Sequence, residues 1–461
     1  MLKNFPCPML SGPHNIQLTT EKLPMTYHFP PLRMRPLALM MALGLAGAAQ
    51  AQSLVDLYAA ARDFDATYQS AKAQNEANLY KADQTLALVL PKVGINATLS
   101  AGLAQADRSF NNNTMTLDAS QGLYRPADDA SFAQSRKAVQ QAASALQIAE
   151  QELILRLSQA YFDVLASTDS LEFVKAQKVA VQEQLAAAKR NFEVGTSTIT
   201  DAREAQARFD LVLAQEIAAE NDLRVKVLAL AQLVGKPDVK PLALIPNFNL
   251  SEFSPADINE WLTMGQTEHP AIRQLNLALE VARLETQKAN AASLPTVDLV
   301  ARYQTTTNNG NVAAPGFSGS NAYTVGFNVN LPLFTGYSIQ NRVKETLSLE
   351  DKARSELEAA QRNVAQSTRA AFMGVDSALG QVRAYEAAAI SSQSALDANK
   401  LGYQVGVRIN IDVLNSQSQL YDTKAKLSKA RYDVLMGNLK LRQASGILKA
   451  ADLKAINALL R

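Results

Sequence analysis

Two stretches of the chain, 211 positions apart, carry the same pattern of turn and helix residues. Residues 191–235 read NFEVGTSTITDAREAQARFD…LAQLVG, and residues 402–446 read GYQVGVRINIDVLNSQSQLYD…LRQASG. The glycines of the two turns, Gly195 and Gly406, are suited to the left-handed conformation that ends many helices. Because the match continues without a gap through a turn and a whole helix, the sequence predicts a domain-sized duplication.

Very long helices are predicted on both sides of each turn. Apolar residues recur at steps of three and four from about Ser131 to about Glu193, a pattern typical of helices packed along their whole length. A helix of about 60 residues is roughly 90 Å long. The returning helices are expected to end near Leu233 and Ala444. The candidate N-caps of these returning helices are Thr198, Thr200 and Asn410.

Four shorter segments alternate between apolar and polar residues with the period of a β-strand. They are residues 92–104, 115–124, 296–304 and 323–333, with loops expected at 107–113 and 308–321. Segments of this kind are typical of a transmembrane β-barrel, with one face towards lipid and the other towards water. Small closed barrels need about eight strands. The four strands are therefore predicted to complete a barrel only in an oligomer, and three copies would supply twelve.

The N-terminal residues predict export from the cytoplasm. Arg33 and Arg35 precede an apolar run, and Ala49-Gln50-Ala51 supplies a small-residue cleavage site. We therefore expect a signal peptide at residues 34–51, preceded by a non-native extension at 1–33. The rest is expected to comprise a first repeat (52–235), a proline-containing linker (236–264), a second repeat (265–446) and a C-terminal segment (447–461).

The composition argues against an enzyme and against a nucleic-acid-binding protein. The net charge of +2 gives no electrostatic attraction to nucleic acid. Beyond the predicted signal peptide, His269 is the one histidine and cysteine is absent. Nucleophilic triads and zinc sites therefore lack their usual residues, and we expect no cofactor and no metal. His269 precedes Pro270 at a predicted helix start and is interpreted as a residue of the cap region.

The motifs at the two turns are the most specific part of the sequence. Residues 194–201 read VGTSTITD, and residues 403–414 read YQVGVRINIDVL. Together with the duplication and the strands, they resemble the TolC family of outer-membrane factors over about residues 52–450. The resemblance implies a mainly α protein whose long α-hairpins form a periplasmic α-barrel below an outer-membrane β-barrel of twelve strands. It also implies a homotrimer that contacts outer-membrane lipid in a Gram-negative cell.

The resemblance further implies partners and roles for residues at the turns. A periplasmic adaptor protein and an inner-membrane transporter, of RND or ABC type, would dock at the helical tips. The matching gate positions are Thr200, Asp201, Tyr403 and Arg408. The matching pore-constriction positions are Asp412 and Asn415, and an acid in the family pattern is replaced here at Asn415. The matching adaptor-docking turns contain Val194, Gly195, Thr196, Val405, Gly406 and Val407.

Two alternatives stay open from the sequence. The gate residues could form only a capped turn with a solvated charge pair, and Asp412 could only complement a helix dipole. At the level of the whole protein, a soluble periplasmic coiled-coil adaptor or scaffold would share the signal peptide and the long hairpins. The favoured function is an outer-membrane channel subunit that forms a trans-periplasmic export duct for multidrug efflux, type I protein secretion or both.

Overall fold

The computed structural model of the chain describes residues 52–104, 108–245, 257–309 and 319–461. The predicted extension (1–33) and signal peptide (34–51) lie outside these residues. The first repeat contains α1 (Leu54–Phe64), α2 (Ala66–Leu86), β1 (Lys92–Ala104), β2 (Arg108–Tyr124), α3 (Pro126–Glu193) and α4 (Ile199–Val234). The second contains α5 (Ile258–Glu268), α6 (Pro270–Ala291), β3 (Thr296–Asn309), β4 (Gly319–Asn330), α7 (Ser338–Gln404) and α8 (Asn410–Ala444). A short helix, α9 (Asp452–Asn457), follows.

The four strands form one antiparallel sheet in the order β1-β2-β3-β4, so that β2 and β3 join the two repeats. Several predicted strand boundaries were wrong, and β3 and β4 extend to Asn309 and back to Gly319, into the predicted loop 308–321. Residues 108–113 belong to β2 and not to a loop, because their backbone groups pair with β1 on one side and in part with β3 on the other. The last strand ends at Asn330 and not at 333, because Pro332 lacks the N–H that a further ladder bond needs.

The sheet has one apolar and one polar face, as the alternation predicts. Large apolar side chains of the first face are exposed in the protomer, for example Leu99 at 79% and Val325 at 76%. On the other face, the guanidinium of Arg302 on β3 donates to the carboxylate of Asp118 on β2 at 2.5 Å. An exposed apolar face opposite a paired-charge face is suited to lipid on one side and water on the other.

The helix α3 has 68 residues, which at about 1.5 Å per residue make it about 100 Å long. It begins at Pro126, five residues before the predicted start. Proline is favoured in a first helical turn, and Asp128 and Asp129 complement the helix dipole there. Within the described ranges, none of the helices combines the length and apolar character needed to cross a membrane.

The largest core lies where α1, α3, α4, α8 and α9 meet. The ring of Phe162 stacks on the ring of Tyr432 of α8, with 5.9 Å between the ring centroids. The hydroxyl of Tyr161 donates a hydrogen bond to the carbonyl of Leu242 at 2.9 Å. The segment that contains Leu242 is held on both sides by backbone bridges, from Gln52 to Pro241 and from Leu244 to Leu460. The described first part of the predicted linker, residues 236–245, therefore packs on the hairpins together with the C-terminal residues.

His269 occupies the break between α5 and α6. Its Nδ1 accepts a hydrogen bond from the backbone N–H of Ala271 at 3.2 Å, so the prediction of a cap-region residue is confirmed. Burial lowers the pKa of His269 below its ordinary value, because the charged imidazolium is poorly solvated there. The neutral ring is therefore the form that caps α6.

Replacing His269 with asparagine is expected to make thermal stability less dependent on pH between about 7 and 5. The depressed pKa means that the unfolded chain binds a proton before the folded chain does, so stability falls as pH drops below the unfolded histidine value of about 6.5. Asparagine can still cap α6 but does not titrate. Thermal melts of both proteins across this pH range test the expectation. If the melting temperatures of both proteins changed equally with pH, the expectation would be contradicted.

Candidate functional site

The first tip joins α3 to α4 through residues 194–198. Gly195 adopts the left-handed conformation at φ +78° and ends α3. Thr198 is the N-cap of α4, and its hydroxyl accepts from the backbone N–H of Asp201 at 3.2 Å. The carboxylate of Asp201 accepts from the backbone N–H of Thr198 at 3.0 Å, which completes a capping box. The predicted cap at Thr198 is confirmed, whereas Thr200 lies inside the first turn and is exposed.

The carboxylate of Asp201 also accepts from the hydroxyls of Ser197 at 2.7 Å and Thr198 at 2.8 Å. Burial by itself would raise the pKa of Asp201, but these hydrogen bonds stabilise the charged form more strongly and hold the pKa of this carboxyl below its ordinary value. All of the bonds end on Oδ2. Within the described part of the chain, Oδ1 accepts no hydrogen bond, so it is free to accept one from a further donor.

The second tip joins α7 to α8 through residues 405–409, with Gly406 in the left-handed conformation at φ +79°. The side chain of Arg408 folds back over Gly402, where a Cβ would lie 2.6 Å from its Cγ. From there, Nη1 of Arg408 pairs with Oδ2 of Asp412 at 3.6 Å. The predicted gate arginine is thus 58% exposed at its side chain and loosely held by the first turn of the following helix, α8.

Tyr403 lies on the same tip, in the last turn of α7. Its hydroxyl accepts a hydrogen bond from Nδ2 of Asn191 on α3 at 3.2 Å. In the described residues of one protomer, no hydrogen bond joins Tyr403 or Arg408 to Thr200 or Asp201. The structure therefore brings the four predicted gate residues to neighbouring tips, and their mutual contact stays a prediction for the assembled protein.

The predicted constriction residues lie in the first two turns of α8. Asp412 is the acidic residue of the first turn, where it complements the helix dipole as well as pairing with Arg408. Asn415 accepts from Nη2 of Arg208 on α4 at 2.7 Å. The side chain of Asn415 therefore forms a hydrogen bond between the two hairpins.

The predicted docking turns present apolar side chains to solvent at both tips. Val194 and Val405 occupy equivalent positions before the two glycines, and both are exposed. Val407 adds a third exposed side chain at the second tip, whereas Thr196 stands at the equivalent place in the first. Exposed apolar side chains on rigid turns are suited to contact with another protein.

Sequence reasoning missed the residues that join the first hairpin (α3 and α4) to the second hairpin (α7 and α8), a contact that we call the seam. The hydrogen-bonded pairs across the seam are Asn191–Tyr403, Gln184–Asn410, Asp201–Asn410, Arg208–Asn415, Gln177–Ser418, Asp169–Ser428 and Asp169–Tyr432. One signal was available in the duplication itself. Asn410 corresponds to Ile199, so a polar residue replaces an apolar one at an equivalent turn position.

Asn410 was predicted to cap α8, and this prediction was wrong. The N-cap is Ile409, which makes no side-chain cap bond, and the amide of Asn410 is instead directed into the seam. A metal site is a separate question. The described part of the chain contains no cluster of histidine, cysteine, aspartate or glutamate able to hold a metal ion.

The sheet and the hairpins together define a class of protein. A four-stranded sheet with one apolar face leads into two helical hairpins, in each of which the longer helix is about 100 Å long, which is the architecture of an outer-membrane channel subunit. The family model described as outer membrane efflux protein matches residues 57–236 and 261–447. The chain belongs to this family.

Relatives of similar length include two outer membrane proteins named TolC and one protein named for protease secretion. The chain is 35% identical to the outer membrane protein TolC of Vibrio cholerae over 434 residues, which cover 93% of this chain and 99% of the relative. It is 31% identical to the TolC protein of Escherichia coli K12, covering 90% and 86%. It is 30% identical to the alkaline protease secretion protein AprF of Pseudomonas aeruginosa, covering 88% and 87%.

Solved structures share the fold at lower identity. The CusC channel superposes with a TM-score of 0.75 at 17% identity, over 86% of this chain and 92% of that one. The outer membrane protein VceC of Vibrio cholerae superposes with a TM-score of 0.74 at 17% identity, over 85% of this chain and 96% of that one. A helical barrel joined to a β-barrel is the fold of these channels, so the predicted fold class is confirmed.

Membership of the family decides several predictions. The protein is an outer-membrane channel subunit that extends into the periplasm and works as a trimer with other export components. It serves efflux or type I secretion and is not an enzyme. The alternative of a soluble periplasmic adaptor or scaffold is not supported, because the relatives and the superposed structures are channels.

Proposed function

We propose that the trimer is a multipurpose export duct, for small toxic molecules and for secreted proteins, that is closed at its periplasmic end by the two tips. A periplasmic adaptor docks on the exposed valines of the turns, and an inner-membrane transporter of RND or ABC type supplies the energy. Relatives named for protease secretion and for efflux both support this breadth of cargo.

One observation carries the proposal of a movable tip. In the described ranges, ion pairs form inside each hairpin but none crosses the seam. Examples are Lys178–Glu216 at 2.5 Å in the first hairpin and Arg431–Glu386 at 2.9 Å in the second. The seam is joined by hydrogen bonds in which at most one partner is charged, and such bonds contribute about 0.5–1.5 kcal/mol each between neutral groups and about 1.5–3 kcal/mol each to a charged group. Within one protomer, the two hairpins can therefore separate along the seam without breaking an ion pair, and the proposed lock is the charge pair that has to break when the tip opens.

The proposed lock uses the predicted gate residues. Tyr403 and Arg408 on the second tip would bond Thr200 and Asp201 on the first, where Oδ1 of Asp201 accepts no hydrogen bond from the described residues. A guanidinium fork bonded to a carboxylate is among the stronger hydrogen-bonded arrangements. Three copies of Asp412 would form an anionic ring favouring cations, weakened by the uncharged Asn415 at the next level.

Replacing Arg408 with serine is expected to increase the conductance steps of the purified trimer in planar lipid bilayers. Losing one charge-assisted bond per protomer shifts the ratio of closed to open tips by about tenfold or more. Arg362→Ser is the matched control, because Arg362 is also exposed and pairs with Glu358 four residues away on α7, well before the tip. Equal conductance in Arg408→Ser and wild type would contradict the gate. Absence of channels in all three proteins would contradict the duct.

A further inference from the structure

Asn410 breaks the symmetry of the two tips. It is fully buried, with an exposed fraction of 0%, at the first position of α8. The equivalent residue at the first position of α4 is Ile199, which is 49% exposed. The usual preference is therefore inverted at these two positions, because the polar side chain is inside and the apolar one is outside.

Both polar atoms of the Asn410 side chain form hydrogen bonds with the first hairpin. Its Oδ1 accepts from Nε2 of Gln184 on α3 at 2.5 Å, and its Nδ2 donates to the backbone carbonyl of Asp201 on α4 at 3.2 Å. A single side chain of the second hairpin thus touches both helices of the first. Among the seam residues of the described chain, Asn410 combines this double contact with complete burial.

The acceptor of the second bond is held in a fixed place. The carbonyl of Asp201 lies in the first turn of α4, where the capping box with Thr198 fixes the backbone. A carbonyl oxygen has two lone pairs, so it can bond Asn410 and still accept from the following turn of its helix. The hydrogen bond from Asn410 therefore fixes the start of α8 relative to the first tip.

We propose that Asn410 is a positioning residue of the gate, a neutral latch that holds the second hairpin against both helices of the first in the closed tip. The inference rests on the proposed gate and deepens it, because the latch acts through the placement of Tyr403 and Arg408. When the second hairpin moves away, water replaces both bonds. Each bond lost then changes the ratio of closed to open tips by about fivefold, which makes the latch reversible.

Asn410→Ile tests the latch, because isoleucine is the residue of the first repeat at this position and fills buried space without either bond. The expected result is larger or longer-lived open steps in planar lipid bilayers, with the population of open tips raised by about tenfold or more for two lost bonds. Asn399→Ile is the matched control. Nδ2 of Asn399 donates to Ser416 at 2.6 Å, a bond inside the second hairpin that does not cross the seam.

The control separates a latch from a general contribution to stability. Asn399→Ile is expected to lower the thermal melting temperature while leaving conductance at the wild-type value. Gln184→Leu removes one of the two latch bonds from a half-buried position on α3, and it decides the question if Asn410→Ile does not assemble. An intermediate rise in open population is expected for this variant.

Arg408→Ser distinguishes failure of the latch from failure of the gate. If Arg408→Ser opens the channel while assembled Asn410→Ile and Gln184→Leu conduct like wild type, the latch is wrong and the gate stands. If Asn399→Ile opens the channel as far as Asn410→Ile does, the effect is general loosening and the latch is also wrong. If no variant changes conductance, the proposed gate itself fails.

Discussion

Gly446→Ala is expected to lower the free energy of unfolding by roughly 3 kcal/mol or more, and Gly406→Ala by only about 1–2 kcal/mol. Both glycines follow a long helix in the left-handed conformation, at φ +76° and +79°. An added Cβ at Gly406 would meet nothing within 4 Å. At Gly446 it would lie 2.4 Å from Cα of His269, so the backbone at the α5–α6 break would have to move.

The two variants separate the cost of backbone conformation from the cost of packing. Both pay the left-handed penalty of a non-glycine residue, so the difference between them measures the close approach of α8 to the α5–α6 break. Thermal unfolding of the detergent-solubilised protein, followed by circular dichroism, gives the comparison. Similar melting temperatures for the two variants would show that the contact at His269 yields easily.

The local features of the tips could be predicted because they depend on residues close together in the sequence. The left-handed glycines and the Thr198 cap follow from backbone preferences that act within about one turn. The duplication also predicted the order of helices and strands, because the two halves were expected to contain the same elements in the same order. Strand ends were less predictable, since the extension of β2 to Arg108 depends on ladder bonds from partner strands and not on its own asparagine-rich sequence.

The seam could not be predicted, because its pairs lie more than 200 positions apart in the chain. Asn410 illustrates the difficulty. Asparagine at a helix start is usually a cap, and only the approach of α3 and α4 offers its amide better partners. Asp201 shows the same effect, since a residue predicted to bond the other hairpin uses its carboxylate first within its own capping box.

Val325→Lys is expected to prevent stable assembly of the trimer in the outer membrane. Val325 lies near the middle of β4, opposite Ala301 of β3, on the exposed apolar face of the sheet. A lysine on the lipid face of a membrane barrel costs about 2–4 kcal/mol near the bilayer centre, and each trimer would carry three. The summed cost exceeds what most single substitutions produce.

Asn328→Lys is the matched control, because it adds the same charge to the same strand on the polar face. Asn328 lies opposite Asp298 of β3, whose carboxylate pairs with Arg125, so the new ammonium would lie beside this ion pair and water and not in lipid. The measurement is the amount of heat-resistant trimer in the outer-membrane fraction for both variants. We expect a large loss for Val325→Lys and nearly the wild-type amount for Asn328→Lys. Equal amounts for the two variants would mean that the sheet does not face lipid on the side to which its apolar residues point.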